Sequence, residues 1–170
     1  MGKVGPAGGW VFYDAGSIES WGRYLEAAPA STEWTYKGWG NYGTEVGGDA
    51  QLTGIGDGQA ATDAIVLHME GEEITGTAAQ LCDALEHEHE GTTYKDWFLP
   101  SKSELKAIWD NIVDDGSGSN SGVGGFASED YWSSSEYNSG EAWKRSFSNG
   151  YQGDAGRKSN PKWVRAARAF

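Results

Sequence analysis

The sequence predicts one α+β domain with two to three helices, a small antiparallel sheet and long irregular loops. With 170 residues the chain has the size of an ordinary single domain, so one hydrophobic core should carry the whole fold. Its 26 glycines and an apolar share of only 38% favour loops and tight turns over a helical bundle. Nine tryptophans, eight tyrosines and five phenylalanines supply bulk for the core, and so much aromatic surface on a polar chain is typical of binding proteins.

The first third of the chain predicts two strands followed by an irregular segment. Residues 9–14 are β-branched and aromatic, and residues 23–29 form a second short extended stretch that a proline ends. Residues 1–8 have the composition of a glycine- and proline-containing linker, so we expect the domain to be the C-terminal part of a longer protein. Between residues 31 and 58 no hydrophobic period appears, which predicts a long loop held by aromatic side chains.

Helical periodicity appears in the middle of the chain. Apolar residues recur on one face near residues 60–70 and again near residues 77–89, which predicts two amphipathic helices. A third helix is predicted after Pro100, because Ser101 and Glu104 have the spacing of a capping box.

The C-terminal quarter predicts an antiparallel sheet. Residues 131–136, 142–148 and 162–170 have the pattern of strands, joined by turns rich in asparagine and glycine. Within the second of these strands the alternation places Trp143 and Phe147 on one face. We therefore expect both aromatic side chains to point into the core.

Charge is distributed unevenly along the chain. The formal net charge is −12, yet residues 131–170 carry a net +4 and residues 1–130 a net −16. Such asymmetry can steer a partner to one face, and the basic segment favours an acidic patch on the target. A body this acidic would repel a nucleic-acid backbone, so a nucleic-acid partner is disfavoured. The apolar stretches are too short for a membrane span or a signal peptide.

Residues suited to catalysis are few and badly spaced for it. Cys82 is the only cysteine and lies at an apolar position of a helical pattern, so we expect a buried, inert thiol. The run of residues 87–90, His-Glu-His-Glu, would put its histidines on different sides of a helix, which predicts a solvated helix end rather than a metal site. No nucleophile has a placed base. We therefore expect a protein that is not an enzyme and has neither cofactor nor bound metal.

One acidic, glycine-rich stretch, residues 47–58, has two interpretations. Asp49 and Asp57, together with backbone oxygens, could bind calcium. The stretch lacks the ordered carboxylates and the closing glutamate of an EF-hand loop, so a turn-forming loop is the favoured interpretation.

Several ordered blocks give the chain a resemblance to a known family. They read Asp96-Trp-Phe-Leu-Pro-Ser-Lys-Ser-Glu-Leu105, Tyr131-Trp-Ser-Ser-Ser-Glu136, Phe147-Ser-Asn-Gly150 and Val164-Arg-Ala-Ala-Arg-Ala-Phe170, with further similarity at residues 5–13 and 24–29. In these blocks the sequence resembles the C-terminal domain family of collagen-like adhesins (Lcl-type), whose relatives include the variable proteins of diversity-generating retroelements. Because the blocks cover nearly all of the chain, we expect residues 1–170 to form a single ligand-binding domain.

The resemblance implies a C-type-lectin-like fold whose C-terminal strands and loops form the ligand-binding face. Calcium is not a requirement of this family, and the Glu-Pro-Asn and Trp-Asn-Asp motifs of calcium-dependent lectins are absent, which argues against classical sugar binding. The catalytic cysteines of the related formylglycine-generating enzymes cannot be placed on a chain with one cysteine. An oxidase of that kind is therefore the least favoured function.

The resemblance to retroelement variable proteins also implies which residues bind the ligand. In such proteins adenines of the coding template are mutated, so variable positions interrupt constant blocks, and residues 131–170 have this layout. The candidate ligand-binding residues are Tyr137, Asn138, Ser139, Glu141, Lys144, Arg145, Ser146, Tyr151, Gly153, Asp154, Arg157, Lys162 and Trp163. Their mixture of large aromatic and small polar side chains is that of antibody paratopes.

These inferences predict a receptor or adhesin module that binds a protein or another macromolecule on a cell surface. We expect it to be extracellular, on a cell surface or on a virion, and the sequence leaves its oligomeric state open. The alternative is an adhesin domain without diversification that binds anionic polysaccharide through Arg145, Arg157, Lys158 and Lys162. The effect of salt on binding distinguishes the two hypotheses. Binding of a polyanion should weaken steeply with added salt, whereas an aromatic-centred contact with a protein should weaken less.

Overall fold

The computed structural model describes residues 2–152 and 155–170, and within them the chain forms an α+β domain. The helices are α1 (Gly58–Gly71), α2 (Ala78–Asp83) and α3 (Lys102–Ile108). The strands are β1 (Lys3–Val4), β2 (Trp10–Glu19), β3 (Gly22–Ala27), β4 (Trp34–Lys37), β5 (His87–His89), β6 (Thr92–Tyr94), β7 (Asp130–Glu136), β8 (Glu141–Ser146), β9 (Gly156–Arg157), β10 (Lys162–Val164) and β11 (Ala167–Ala169). Short helical turns at Ala30–Thr32, Gly48–Gln51, Trp109–Val113 and Val123–Gly125 complete the order.

Two sheets and a hairpin account for these strands. The four-stranded sheet has the order β1-β2-β3-β11, the five-stranded sheet has the order β4-β10-β7-β8-β9, and β5 pairs with β6. β10 pairs with β4 antiparallel but with β7 parallel, so the expectation of a purely antiparallel C-terminal sheet is wrong. The physical reason is that β10 does not extend the sheet from its edge at β9. It inserts between β4 and β7 instead, running in the direction of β7.

The last predicted strand, residues 162–170, is two strands in different sheets. β10 ends at Val164, and β11 begins at Ala167 and pairs with β3. Between them the Arg165 side chain is buried, and its guanidinium lies 2.5 Å from a carboxylate oxygen of Glu33. This ion pair holds the bend at which the chain passes from one sheet to the other.

The second predicted helix is shorter than its hydrophobic pattern. α2 ends at Asp83, and β5 and β6 follow as a hairpin. Glu90 and Gly91 at the hairpin turn have left-handed φ angles of 49° and 79°, which an α-helix does not accommodate. The expected helix over residues 77–89 is therefore wrong in its C-terminal half, and residues 87–90 are a hairpin rather than a helix end.

The other two helices agree with their predictions. α1 buries Ala61 and Ile65 on one face. α3 begins at the predicted capping box, in which the Ser101 hydroxyl accepts the Glu104 N–H at 3.2 Å and the Glu104 carboxylate accepts the Ser101 N–H at 2.7 Å. None of the described helices is long and apolar enough to cross a membrane.

β7 separates two hydrophobic clusters of the core. Successive side chains of a strand point to opposite faces. Trp132 therefore packs with Trp39 and Trp97 in one cluster, and its neighbour Tyr131 packs with Phe147 in the other. Aromatic side chains supply much of the bulk of this core, in agreement with the composition.

Two segments that were expected to be irregular contain strands. β1 pairs with β2, and Ala7 is buried with its N–H donating to a Glu26 carboxylate oxygen at 3.1 Å. Residues 2–8 therefore belong to the fold and are not a free linker. β4 lies within residues 31–58 and is an edge of the five-stranded sheet. Both strands are too short to produce a recognisable hydrophobic period.

Candidate functional site

The turn between β7 and β8 is held by one asparagine. Asn138 Oδ1 accepts the N–H groups of Gly140 at 2.8 Å and Glu141 at 2.9 Å, and its amide donates to Glu141 Oε2 at 3.2 Å. The Ser139 carbonyl accepts the N–H of Gly43 at 2.9 Å, which ties the turn to the loop before α1. These hydrogen bonds fix the backbone of the turn, and so they also fix the positions from which the neighbouring side chains extend.

Four side chains around the turn form a surface that we call the turn patch: Tyr42, Tyr137, Trp143 and Arg157. Tyr137 is 53% exposed, and its ring meets the Trp143 ring in a T-shaped contact at 4.9 Å. The Arg157 guanidinium lies 5.0 Å from the Tyr42 ring centre and donates to the Tyr42 hydroxyl at 2.8 Å. Tyrosine, tryptophan and arginine are the residue types enriched in binding hot spots.

Lys102 packs against the Trp143 ring of the turn patch. Its ammonium lies 3.3 Å from the centre of the Trp143 ring, which places Trp143 between Lys102 and Tyr137. Burial lowers the pKa of Lys102. Because Lys102 is the first residue of α3, the capping box at Ser101 also determines where this ammonium lies.

A buried ion pair holds the loop before α1 against the end of β7. Lys158 Nζ lies 2.6 Å from Glu136 Oε1, and both side chains are fully buried. Glu136 also accepts the N–H groups of Val46 at 2.8 Å and Gly47 at 2.7 Å, while Lys158 donates to the Thr44 carbonyl at 2.8 Å. Lys158 therefore stabilises the scaffold of the turn patch and is not accessible to a ligand.

A shallow groove of about 350 Å³ lies near the other end of β7 and β8. We call its lining the groove patch: Tyr36, Ser128, Glu129, Asp130, Ser146, Ser148, Pro161, Lys162 and Trp163. The ammonium groups of Lys144 and Lys162 lie 2.7 and 3.5 Å from the same Asp130 oxygen. Both ammonium groups therefore form ion pairs with Asp130 within the protein rather than pointing towards a ligand.

The strand register places the two patches at opposite ends of β8. Glu141 pairs with Arg157 at the turn patch, and Ser146 pairs with Asp130 at the groove patch. At about 3.4 Å per residue, these two pairs at the ends of β8 lie roughly 17 Å apart. Five of the predicted binding residues therefore fall in two separate patches: Tyr137 and Arg157 in the turn patch, and Ser146, Lys162 and Trp163 in the groove patch.

The predicted binding residues differ in their exposure. Tyr137, Ser139, Tyr151 and Arg157 are exposed, Asn138, Glu141, Lys144, Ser146, Lys162 and Trp163 are half-buried, and Arg145 is buried. Gly153 and Asp154 lie outside the described residues.

The faces of β8 match the expectation only in part. Phe147 is fully buried, as predicted, whereas Trp143 is half-buried at the surface, so the prediction that Trp143 points into the core is wrong. Arg145 is 5% exposed and donates to Gln152 Oε1 at 2.5 Å, and burial lowers its pKa. The reason lies in the position of α3. Its first residue, Lys102, lies over the Trp143 ring, and Trp109, directly after the helix, packs against Phe147, so the Phe147 end of β8 is the more deeply covered.

Sequence reasoning did not place several residues at this surface, among them Tyr36, Tyr42, Lys102, Glu129 and Trp143. Tyr36 is 68% exposed and Tyr42 is 49% exposed, although both lie in the segment whose aromatic side chains were expected to hold a loop together. No local pattern distinguishes an exposed tyrosine from an anchoring one. The pairing of β4 with β10, which brings Tyr36 beside Trp163, is a long-range contact.

The basic residues of the C-terminal segment are mostly used inside the protein. Ion pairs involve Lys144, Arg145, Lys158, Lys162, Arg165 and Arg168. Arg157 is exposed and has no carboxylate partner within residues 2–152 and 155–170. The net +4 of this segment in the sequence therefore does not become a strongly positive surface.

The acidic stretch at residues 47–58 is a loop of separate local turns. Asp57 Oδ2 accepts the Gly54 N–H at 2.5 Å, and the exposed Asp49 lies in the helical turn Gly48–Gln51. In the described part of the chain, no three histidine, cysteine or acidic side chains form a group that could hold a metal ion.

Comparisons with known proteins relate this chain to a family and to a solved fold. The family model described as the Lcl C-terminal domain matches residues 20–168. No curated protein matches the chain. The crystal structure of a fimbrial protein from Bacteroides ovatus ATCC 8483 is similar, with a TM-score of 0.56 and 16% sequence identity over 92% of this chain and 37% of that chain. This similarity concerns the fold alone, and the chain spans little more than a third of the length of the fimbrial protein.

Proposed function

The chain belongs to the Lcl C-terminal domain family, and we propose that it is a non-enzymatic, adhesin-like binding module whose target is a protein on a cell surface. On this proposal the domain is extracellular, displayed on a cell or a virion, and forms the C-terminal ligand-binding part of a longer chain. The structural similarity to a fimbrial protein agrees with a surface context.

The separation of the two aromatic patches is the observation that carries the proposal. Tyr137 and Arg157 mark one end of β8, Tyr36 and Trp163 mark the other, and the strand pairs at the two ends lie roughly 17 Å apart. A standard protein–protein interface buries about 800 Å² on each partner, enough to cover both ends. A single sugar ring would reach only one. A protein target therefore uses more of this surface than a small ligand does.

Diversification by a retroelement is the second part of the proposal, together with the C-type-lectin-like fold that the family resemblance implies. The exposed candidates Tyr137, Ser139, Tyr151 and Arg157 lie on a scaffold held by buried groups, so their side chains are free to change without loss of the core. Arg145 is buried, so we infer that it varies less than its exposed neighbours.

The alternative, binding of anionic polysaccharide, has less support. Of its four proposed cations, Lys158 and Arg145 are buried and Lys162 is directed at Asp130. Arg157 remains as an exposed cation, but it stands beside the aromatic ring of Tyr42. One exposed arginine is a poor basis for binding a polyanion, which needs several phosphate- or sulfate-like contacts.

Binding of the labelled chain to intact bacterial or host cells tests the function. We expect Tyr42→Ala, Tyr137→Ala, Tyr151→Ala and Arg157→Ala in combination to weaken binding at least about tenfold, while folding is retained, because exposed substitutions cost about 0.5 kcal/mol or less each. The matched control combines Ile18→Ala and Leu67→Ala, exposed apolar residues outside both patches, and should bind like the wild type.

The nature of the target is decided on the same cells. Protease treatment of the cells should abolish binding, and raising the salt concentration from 0.05 to about 0.5 M should weaken it only moderately. Binding that survives protease, is lost after polysaccharide digestion and falls steeply with salt would instead support the polysaccharide alternative.

Diversification has its own test in the neighbouring DNA. We expect a near-copy of the segment encoding residues 131–170 that differs at adenines, together with a reverse-transcriptase gene. If neither is present, the domain is an adhesin module without diversification.

A further inference from the structure

Tyr36 has an unusual backbone conformation at the edge of the groove patch. Its φ angle is +55°, in the left-handed region that bulky residues rarely adopt. The register explains the conformation, because two residues of β4, Thr35 and Tyr36, lie opposite a single residue of β10, Trp163. Such a β-bulge changes the direction of a side chain, and strained residues are often found where a ligand is clamped.

The Tyr36 ring makes few packing contacts that could stabilise the fold. Tyr36 is 68% exposed, and its ring makes an edge-type contact with the Trp163 ring at a centroid distance of 6.4 Å. Glycine would fit the left-handed backbone without strain. A tyrosine at this position therefore needs an explanation outside the packing of the free protein.

The accessible charge of the groove patch is negative. Glu129 is exposed and forms no ion pair within the described residues, 2–152 and 155–170. Asp130 is engaged by Lys144 and Lys162, whose side chains are only 21% and 12% exposed. Ser146 and Ser148 add hydroxyl groups, which lie 2.8 Å from each other.

We propose that Tyr36 is a binding residue and that the groove patch receives a basic side chain of the protein target, best an arginine. This inference rests on the proposed function and adds the chemistry of one contact to it. A guanidinium stacks on an aromatic face and forms charge-assisted hydrogen bonds with a carboxylate in its plane. Tyr36 supplies the face and Glu129 supplies the carboxylate.

The contact is tested with small probes on the full chain, so that the test does not depend on finding the target. The indole N–H of Trp163 is the reporter in NMR spectra, because this residue lines the groove and its buried Nε1 has no hydrogen-bond partner in the described structure. We expect N-acetyl-arginine amide to shift this resonance in a saturable way, with the millimolar affinity of a single side chain. N-acetyl-glutamate amide and methyl glucoside should cause no saturable shift.

Two variants and a matched control separate binding from packing. Tyr36→Gly should abolish the saturable shift while the melting temperature stays within about 3 °C of the wild type, since the backbone strain is relieved. Glu129→Gln should weaken the arginine shift without affecting folding. The control is Glu73→Gly, an exposed residue with a φ of +58° outside the groove, which should leave the arginine titration unchanged.

Each contrary result overturns the proposal. It fails if the arginine probe gives no saturable shift, if the glutamate or glucoside probe binds instead, or if Tyr36→Gly leaves the titration unchanged. A large loss of stability in Tyr36→Gly, not seen in Glu73→Gly, would assign the ring a packing role. Cell binding without an arginine response would remove this contact and leave the proposed function standing. An arginine response without cell binding would remove the proposed function and, with it, the assignment of the arginine to a protein target.

Discussion

The ammonium of Lys158 lies 2.6 Å from the Glu136 carboxylate inside the protein and 4.8 Å from the centre of the Trp39 ring. The lysine belongs to the loop after β9 and the glutamate ends β7, so the pair joins two segments whose neighbours carry the turn patch. Its surroundings contain backbone donors and acceptors as well, which compensate for the loss of water around both charges.

Removal of the Lys158 charge should destabilise the domain. Lys158→Met leaves the Glu136 carboxylate buried without its cation, and breaking such a pair typically costs about 3–5 kcal/mol. Denaturant melts followed by tryptophan fluorescence measure the change. Arg157→Ala, at the exposed neighbouring position, is the control and should change the free energy of unfolding by about 0.5 kcal/mol or less. Equal, small effects of both substitutions would show that Lys158 is not buried.

The two aromatic residues of β8 should differ in their contribution to stability. Phe147 is fully buried among Tyr131, Phe126 and Trp109, so Phe147→Ala should lower the free energy of unfolding by about 3–5 kcal/mol. Trp143 is half-buried, so Trp143→Ala should cost clearly less, about 1–2 kcal/mol. Denaturant melts of both variants give the comparison, and a larger loss for Trp143 would contradict the arrangement of β8 against α3.

Glu104 should make the domain less stable as the pH rises. Its carboxylate is fully buried, where it accepts the N–H groups of Ser101 at 2.7 Å and Gly56 at 2.8 Å, and burial raises its pKa from 4.5 to about 7. Between these two values the folded state keeps the proton that the unfolded state has lost. The stabilisation is therefore complete below about pH 4.5 and is lost as the pH rises through about 7.

Glu104→Gln isolates this effect, because glutamine keeps the capping box but does not titrate. From pH 4.5 to 8 the free energy of unfolding of the wild type should fall relative to that of the variant, by an amount on the order of 3 kcal/mol. Urea melts at half-unit pH intervals provide both curves. Parallel curves over this window would show that Glu104 does not bind a proton in the folded state.

The thiol of Cys82 should react only when the domain unfolds. Cys82 is fully buried in α2, and burial raises its pKa well above the ordinary value, so little thiolate forms at neutral pH. A thiol reagent such as dithionitrobenzoate should give no colour with the native protein and one equivalent in denaturant. Rapid reaction of the native protein would place the thiol at the surface.

Local patterns of the sequence were sufficient for α1, α3 and the longer strands β2, β3, β7 and β8. The capping box at Ser101 and the apolar face of α1 depend on residues within one or two turns of each other, and both were predicted correctly. Residues 131–136, which were also predicted to form a strand, likewise form β7. The spacing of apolar residues did not predict where α2 ends and the β5–β6 hairpin begins. The hairpin turn depends on the left-handed φ angles of Glu90 and Gly91, which do not change the apolar spacing.

The surface charge of the C-terminal segment was decided by the tertiary structure. Seven basic residues in the sequence favoured an acidic target, but most of them pair with carboxylates far along the chain. Arg165 reaches Glu33 across 132 positions, and Arg168 reaches Glu26 across 142. The net charge of a segment does not predict such ion pairs, because they depend on which residues lie close together in the folded protein.

The sequence by itself determined the α+β class and the aromatic core, since residue type and short-range periodicity encode these properties. The C-terminal location of the candidate binding residues came from the family resemblance and stays a prediction. Only the tertiary structure decided that Tyr137 and Arg157 lie at one end of β8 and Lys162 and Trp163 near the other, that Lys158 and Arg145 are interior, and that Tyr36 joins the groove. The insertion of β10 between β4 and β7 brings Trp163 beside both Tyr36 and Tyr131. Strand pairing of this kind depends on the burial of the whole sheet, which no local segment of the chain specifies.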